Sequence, residues 1–341
     1  MRGSDPGVRR DHALGGGGVV RRHRRPTARA RGPTGPSRFA EVAIDPTYLL
    51  YRAGSSIASF VPDVALFRAA AAVGTVVARR DAKRREVVRR NLARVVDPDV
   101  LESTVDEAFR SYARYWMEAL RLPKPGLAEI QRRTATVDGL DNIARYLDVG
   151  RGVIFVSPHL GSYDVAGAWL ASYGWRMLAV AEELEPPELF EMFRSLRRSV
   201  GVEVLPAGKG STARALLSAL RDGGAAGLVA DRDITGSGVE VEFFGEKTLL
   251  PNGPAVLALR TGAPLIVGAL LQRPGGLYHG VLLDPIEVEA GKADRERAYE
   301  LTVDVARRME DLIRREPGQW HLFQPNWPTD PGYRHAQSEL R

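Results

Sequence analysis

The chain contains no cysteine. Disulfide staples, zinc–thiolate sites and thiol nucleophiles are therefore excluded. It also lacks a long hydrophobic run. A membrane-crossing helix needs about 20 consecutive apolar residues. The most apolar region, residues 46–78, is interrupted by Arg52, Pro62, Asp63 and Arg68. No G-x-S-x-G elbow is present, which argues against a serine hydrolase. The stretch from Gly208 to Thr212 invites comparison with a phosphate loop, but Glu203 stands where the Walker spacing needs glycine. No His, Asp and Glu grouping has metal-ligand spacing, so no metal is expected. His279 and His321 are isolated in sequence and read as structural residues. There is no internal repeat.

What is present begins with charge. The formal net charge is +6. Ten arginines against two aspartates give residues 1–38 a charge of +8, while the rest, with 38 basic and 40 acidic groups, comes to −2. The basicity belongs to an N-terminal arm of Gly, Pro and Arg, which reads as a disordered tail with no apolar core of a signal peptide. The remainder is nearly neutral and needs local patches to bind anions. The expected organisation is a tail over residues 1–40 and one domain over residues 41–341. Within that domain, residues 41–122 form a helical, membrane-proximal part and residues 123–341 an α/β core.

Residues 46–78 read as two helices broken near Pro62. Their apolar faces either pack on the core or lie in a membrane interface. Residues 79–94 carry a dense set of arginines and read as a basic helix. Such a helix is either a solvated face or a contact for an anionic bilayer, and its place after the apolar pair favours the bilayer. In residues 98–122, Ala108, Tyr112, Tyr115, Trp116, Ala119 and Leu120 recur at helical spacing and read as core. From residue 152 the pattern changes. Apolar strands at 153–157, 177–181, 202–205, 226–230, 264–271 and 278–283 alternate with helices at 164–173, 187–200, 211–221, 254–261 and 295–315, and 239–244 reads as extended. Alternation of this kind predicts an α/β fold with a mostly parallel central sheet flanked by helices.

The centre of the chain is the stretch from Gly152 to Asp164, GVIFVSPHLGSYD. Val153 to Ser157 is a short β-branched run, and Pro158 stops it by removing a backbone donor. Ser162 is placed to cap the following helix. His159 therefore sits at the C-terminal end of a strand, with Asp164 five residues on. A carboxylate holding one imidazole nitrogen leaves the other free to take a proton. The alternative is a structural histidine at a strand end.

His159 and Asp164, separated by four residues, resemble the HX4D motif of glycerolipid and lysophospholipid acyltransferases. Three later stretches extend the likeness: DRDITGSGVEVEFFG from Asp231, PNGPAVLALRTGAP from Pro251, and WHLFQPNW from Trp320. Together they resemble the bacterial lipid A (lauroyl/myristoyl) acyltransferase superfamily, in particular its phosphatidylinositol mannoside acyltransferases. The likeness runs from about residue 38 to 333. It implies a peripheral enzyme at the cytoplasmic face of the inner membrane, moving a palmitoyl-type chain from acyl-CoA to a mannose hydroxyl of a glycolipid, with no cofactor besides that co-substrate. His159 would be the general base and Asp164 would hold its ring. The resemblance also implies an acidic helper in the 231–242 block, assigned here to Asp233 rather than Asp231 or Glu240. Arg197, with Arg198 as the alternative, would meet substrate phosphate, Glu182 acceptor hydroxyls, and Arg232 would join the substrate-binding set. The implied partners are acyl-CoA, a phosphatidylinositol mannoside and an anionic membrane surface, without nucleic acid. The competing readings are a lipid A-type secondary acyltransferase acting on a glucosamine lipid, and a non-catalytic membrane- or nucleic-acid-binding protein acting through its tail.

Overall fold

The computed structural model describes residues 45–234, 236–291 and 294–333. The expected disordered tail lies outside them.

Helices come first. Helix α1 (Pro46–Phe60) is capped by Asp45, whose carboxylate accepts from the Thr47 N–H at 2.7 Å, with Pro46 at the first helical position. Val61 precedes Pro62 and is extended, which ends the helix. Helices α2 (Asp63–Arg80), α3 (Ala82–Leu92) and α4 (Pro98–Leu120) follow. Helix α2 buries Leu66, Ala70, Gly74 and Ala78, one face at a spacing of four. Gly74 makes the crossing with α4 possible, because a Cβ there would lie 2.5 Å from the Phe109 carbonyl oxygen. The break near Pro62 and the helix over 98–122 agree with the sequence reading. Helix α3 differs from it. Arg85 bonds Asp106 at 2.5 Å and Glu102 at 2.7 Å, Arg89 bonds Glu102 at 3.1 Å, and Arg90 bonds Glu86 at 2.8 Å. Acids on α3 and α4 thus answer much of the charge that the sequence suggested was offered to a bilayer. The apolar residues are freer: Leu50, Ile57 and Phe60 of α1 and Val64 and Val73 of α2 are all exposed.

The α/β part begins after a short helix that sequence reading missed, α5 (Gly126–Arg133). The strands are β1 (Thr136–Asp138), β2 (Val153–Ser157), β3 (Met177–Ala181), β4 (Val202–Pro206), β5 (Ala225–Val229), β6 (Val239–Phe243), β7 (Glu246–Leu250), β8 (Leu265–Gln272) and β9 (Tyr278–Leu282). The intervening helices are α6 (Asp141–Asp148), α7 (Tyr163–Ala171), α8 (Pro187–Arg198), α9 (Gly210–Arg221), α10 (Gly253–Thr261) and α11 (Arg295–Arg315). The main sheet has the order β1-β9-β8-β2-β5-β3-β4. Pairs β8–β2, β2–β5, β5–β3 and β3–β4 are parallel, and only the β8–β9 pair is antiparallel. Strand β2 is central and covered on both faces, which is why it reads as a continuous apolar run rather than an alternating one. Strands β6 and β7 form a separate antiparallel hairpin. The expected mostly parallel sheet flanked by helices is the observed fold.

Candidate active site

The register of the sheet builds the site. Ser157 of β2 lies opposite Val229 of β5. Two residues beyond each strand end stand His159 and Asp231. They meet: His159 Nδ1 lies 2.6 Å from Asp231 Oδ1. Oδ2 of the same carboxylate accepts the His159 backbone N–H at 3.0 Å and the Trp320 indole N–H at 2.8 Å. Asp231 is fully buried. Burial pushes its carboxyl up, but the charge of His159 and these bonds outweigh that and hold it below the ordinary carboxylate range. The ionised carboxylate accepts the Nδ1 proton. Nε2 then carries the free lone pair, and His159 lines the adjoining cavity.

This corrects two assignments. Asp164 does not hold the His159 ring. Its carboxylate takes a two-pronged bond from Arg197, Nε at 2.7 Å and Nη2 at 3.0 Å, and the Tyr115 hydroxyl donates to it at 3.0 Å. The reason is direction: Asp164 sits inside the first turn of α7 and faces α4 and α8, away from the strand-end loop of β5. Nor is Asp233 the partner. It accepts the Gly238 N–H at 2.7 Å and closes its own loop. Asp231, set aside from sequence, is the residue that the parallel register delivers to His159.

Arg197 lines the cavity as expected, but two of its donors are committed to Asp164. Burial lowers its pKa, and the charge of Asp164 more than reverses that, so the guanidinium stays ionised. Glu182 and Arg232 do come together at the cavity, with Arg232 Nη2 donating to Glu182 at 2.9 Å and Nη1 to Gln324 at 2.7 Å.

Residues outside the expected set complete the site. The segment after α11 lies across it. His321 N–H donates to the His159 carbonyl at 2.7 Å, and Leu160 bridges Trp320. His321, isolated in sequence, is packed beside His159. Its tautomer follows from its neighbours. Gln272 Nε2 donates to the Ser111 carbonyl at 3.3 Å, so its Oε1 accepts the Ser111 hydroxyl at 3.1 Å. Ser111 Oγ must then accept from His321 Nε2, 2.8 Å away. Burial, with a smaller push from His159, lowers the His321 pKa to about 3, so it stays neutral. Glu118 of α4 accepts from Arg114 at 2.7 Å, from Tyr278 at 3.1 Å and from Ser162 of the HX4D loop. Gly161 lets that loop touch the sheet. Its φ is +63°, and a Cβ would lie 2.2 Å from the Leu270 carbonyl oxygen.

The cavity measures about 330 Å³. Phe155, Trp169, Leu170, Met177, Val202 and Val204 make its inner wall apolar, and His159, Glu182 and Arg232 make its polar side. Among the described residues no grouping of His, Asp and Glu suits a metal ion.

An imidazole oriented by a buried carboxylate at the edge of an apolar cavity on an α/β sheet is an arrangement suited to acyl transfer. The chain belongs to the bacterial lipid A biosynthesis acyltransferase family, whose model matches residues 39–329. It is 38% identical to the phosphatidylinositol mannoside acyltransferase of Mycolicibacterium smegmatis over 251 residues, covering 72% of this chain and 80% of that protein. It is 35% identical to the protein of the same name from Mycobacterium tuberculosis over 254 residues, covering 72% and 78%. A solved 1-acyl-sn-glycerophosphate acyltransferase from Thermotoga maritima aligns at a TM-score of 0.33 with 16% identity, covering 67% of this chain and 93% of that one. That score is too low to bear on the argument.

Proposed function

We propose that the protein moves a fatty acyl chain from acyl-CoA to a mannose hydroxyl of a phosphatidylinositol mannoside. The observation that carries this is the His159–Asp231 pair opening on an apolar cavity. The names of the relatives supply the acceptor class. His159 Nε2 takes the proton of the acceptor hydroxyl as its oxygen attacks the thioester carbonyl. Asp231 stabilises the imidazolium that forms. The C–S bond then breaks, and the imidazolium returns the proton to the departing CoA sulfur. No acyl-enzyme is needed. The donor's chain occupies the apolar inner wall, and Glu182 and Arg232 orient the hydroxyl-bearing headgroup. The test offers the purified protein labelled acyl-CoA with phosphatidylinositol mannosides, lipid A precursors and lysophospholipids side by side. Label in the mannoside is expected; label in a lipid A precursor alone would replace this acceptor assignment.

Attachment to the cytoplasmic face of the inner membrane is part of the same proposal. No helix among the described residues is long and apolar enough to cross a bilayer. The exposed apolar residues of α1 and α2 suit an interfacial position, with each buried CH₂ contributing about 0.8 kcal/mol. Leu50→Asp with Phe60→Asp is expected to release the protein from vesicles in a flotation assay. Retention equal to wild type would place the attachment elsewhere.

A further inference from the structure

Acyl transfer between two lipids poses a packing problem. The donor and the acceptor both carry apolar chains, and the cavity beside His159 accounts for one of them. A second apolar cavity, about 250 Å³, flanks the crossing of α2 and α4. It exists because the helices touch at Gly74, while the small side chains Ala69, Val73 and Ala113 leave space beside that contact. Tyr112, Trp116 and Phe323 line both cavities, so the two are separated by a single aromatic wall. Val73 is 55% exposed, which places this cavity on the outward, apolar side of α2.

Its charged liner is Arg84. The Arg84 side chain is 52% exposed and has only a loose ion pair with Asp81, at 3.6 Å. Arg80 and Lys83 border an adjoining notch at the α2–α3 corner, which shares Val77 with the cavity. Both are exposed, and neither has an acidic partner among the described residues. The acid-bonded Arg85 and Arg89 of the same helix contrast with this corner.

We propose that the α2–α4 cavity is a subsite for an acyl tail of the acceptor glycolipid, with the phosphodiester of that lipid at Arg84. This rests on the reading of the acceptor as a phosphatidylinositol mannoside. An apolar slot beside Arg84, Arg80 and Lys83, which outnumber the one acid among them, Asp81, matches a lipid whose tail and phosphate are joined. The shared wall keeps the sugar of the same molecule beside the reaction cavity. A tail held there makes attack by the mannose hydroxyl effectively intramolecular.

The experiment compares two acceptors, the diacylated mannoside and its water-soluble deacylated form, in the full-length protein. Val73→Trp combined with Ala113→Leu fills the cavity, and Arg84→Gln removes the charge. Each is expected to lower the ratio of kcat/KM for the diacylated over the deacylated acceptor by tenfold or more, chiefly through KM. Thermal melting establishes that each variant is folded. If filling leaves the ratio unchanged, the tail does not bind here and the subsite is overturned. As a second readout, a diazirine placed in the acceptor tail should label residues 69–77 or 109–117. Labelling of those segments by a diazirine acyl-CoA instead would assign the cavity to the donor and also overturn the proposal. Failure of the wild type to acylate either mannoside would overturn the acceptor reading itself, and the ratio test tells these failures apart.

Discussion

Two neighbouring strand ends each lead to an aspartate, one partly buried and one fully buried, and the two make different contacts. The helix that follows β2 carries Asp164, which faces α4 and α8 and holds Arg197. The loop after β5 carries Asp231, which holds the ring and backbone of His159. Asp164 lies in the same motif as His159 yet binds Arg197. Asp231 lies 72 residues away in sequence and binds His159. Nearness along the chain thus misassigns the carboxylate, because a parallel sheet puts different strand ends side by side.

The contrast can be broken in stages. The largest expected effect is that of His159→Ala, since loss of a general base costs about 10²–10⁴-fold. A variant keeping half of the wild-type rate would remove His159 from the chemistry. Next comes the comparison of Asp231→Asn with Asp164→Asn. The first leaves an amide that favours the wrong tautomer and does not stabilise the imidazolium, so kcat should fall by about 10²-fold or more. The second leaves the partly buried Arg197 without its counter-charge. Breaking a fully buried pair costs about 3–5 kcal/mol, and this part-buried one should cost less but still show in denaturant melts, with a smaller loss of kcat at temperatures where the variant is folded. Equal kcat losses in two equally stable variants would erase the distinction.

A third test concerns the neutral His321. Its folded pKa, about 3, lies below its unfolded value near 6.5. The unfolded chain therefore binds the extra proton first. Stability is lost as pH falls from about 6.5 towards 3, by up to about 1.4 kcal/mol per pH unit. His321→Gln keeps a donor for Ser111 but does not titrate there, so its stability should vary less with pH over that window. Parallel acid limbs in urea melts would contradict the burial account. The smallest effect is expected from Trp320→Phe, which deletes one donor to the Asp231 carboxylate and keeps most of the ring. A hydrogen bond to a charged group contributes about 1.5–3 kcal/mol, so a loss of kcat of about tenfold is expected. Removing that bond also makes Asp231 a stronger base for the Nδ1 proton, so the acid limb of the rate profile should move to higher pH. The groups facing His159 in that profile are Asp231, Tyr163 and His321, with Arg232 and the Asp164–Arg197 pair lining the same cavity. A rate loss with an unmoved limb would leave Trp320 a packing residue.

Local chemistry written along the chain was enough for much of this. The β-branched run at 153–157, the stop at Pro158 and the helical start at Ser162 place His159 at a strand end. Alternating apolar runs and amphipathic helices specify a mostly parallel sheet, since its central strands are buried on both faces and each crossover needs a helix. Helix α5 escaped because its eight residues, flanked by Pro125 and Thr134, are too few for a clear helical period. Partner choice was decided only in three dimensions. Asp231 meets His159 because Ser157 and Val229 are in register, and Trp320 and His321 arrive from the far end of the chain. Arg85 and Arg89 turn inward to α4 rather than outward because Glu102 and Asp106 stand opposite them. Sequence spacing encodes periodicity within an element, whereas contacts between elements depend on register and packing angle, which no local pattern carries.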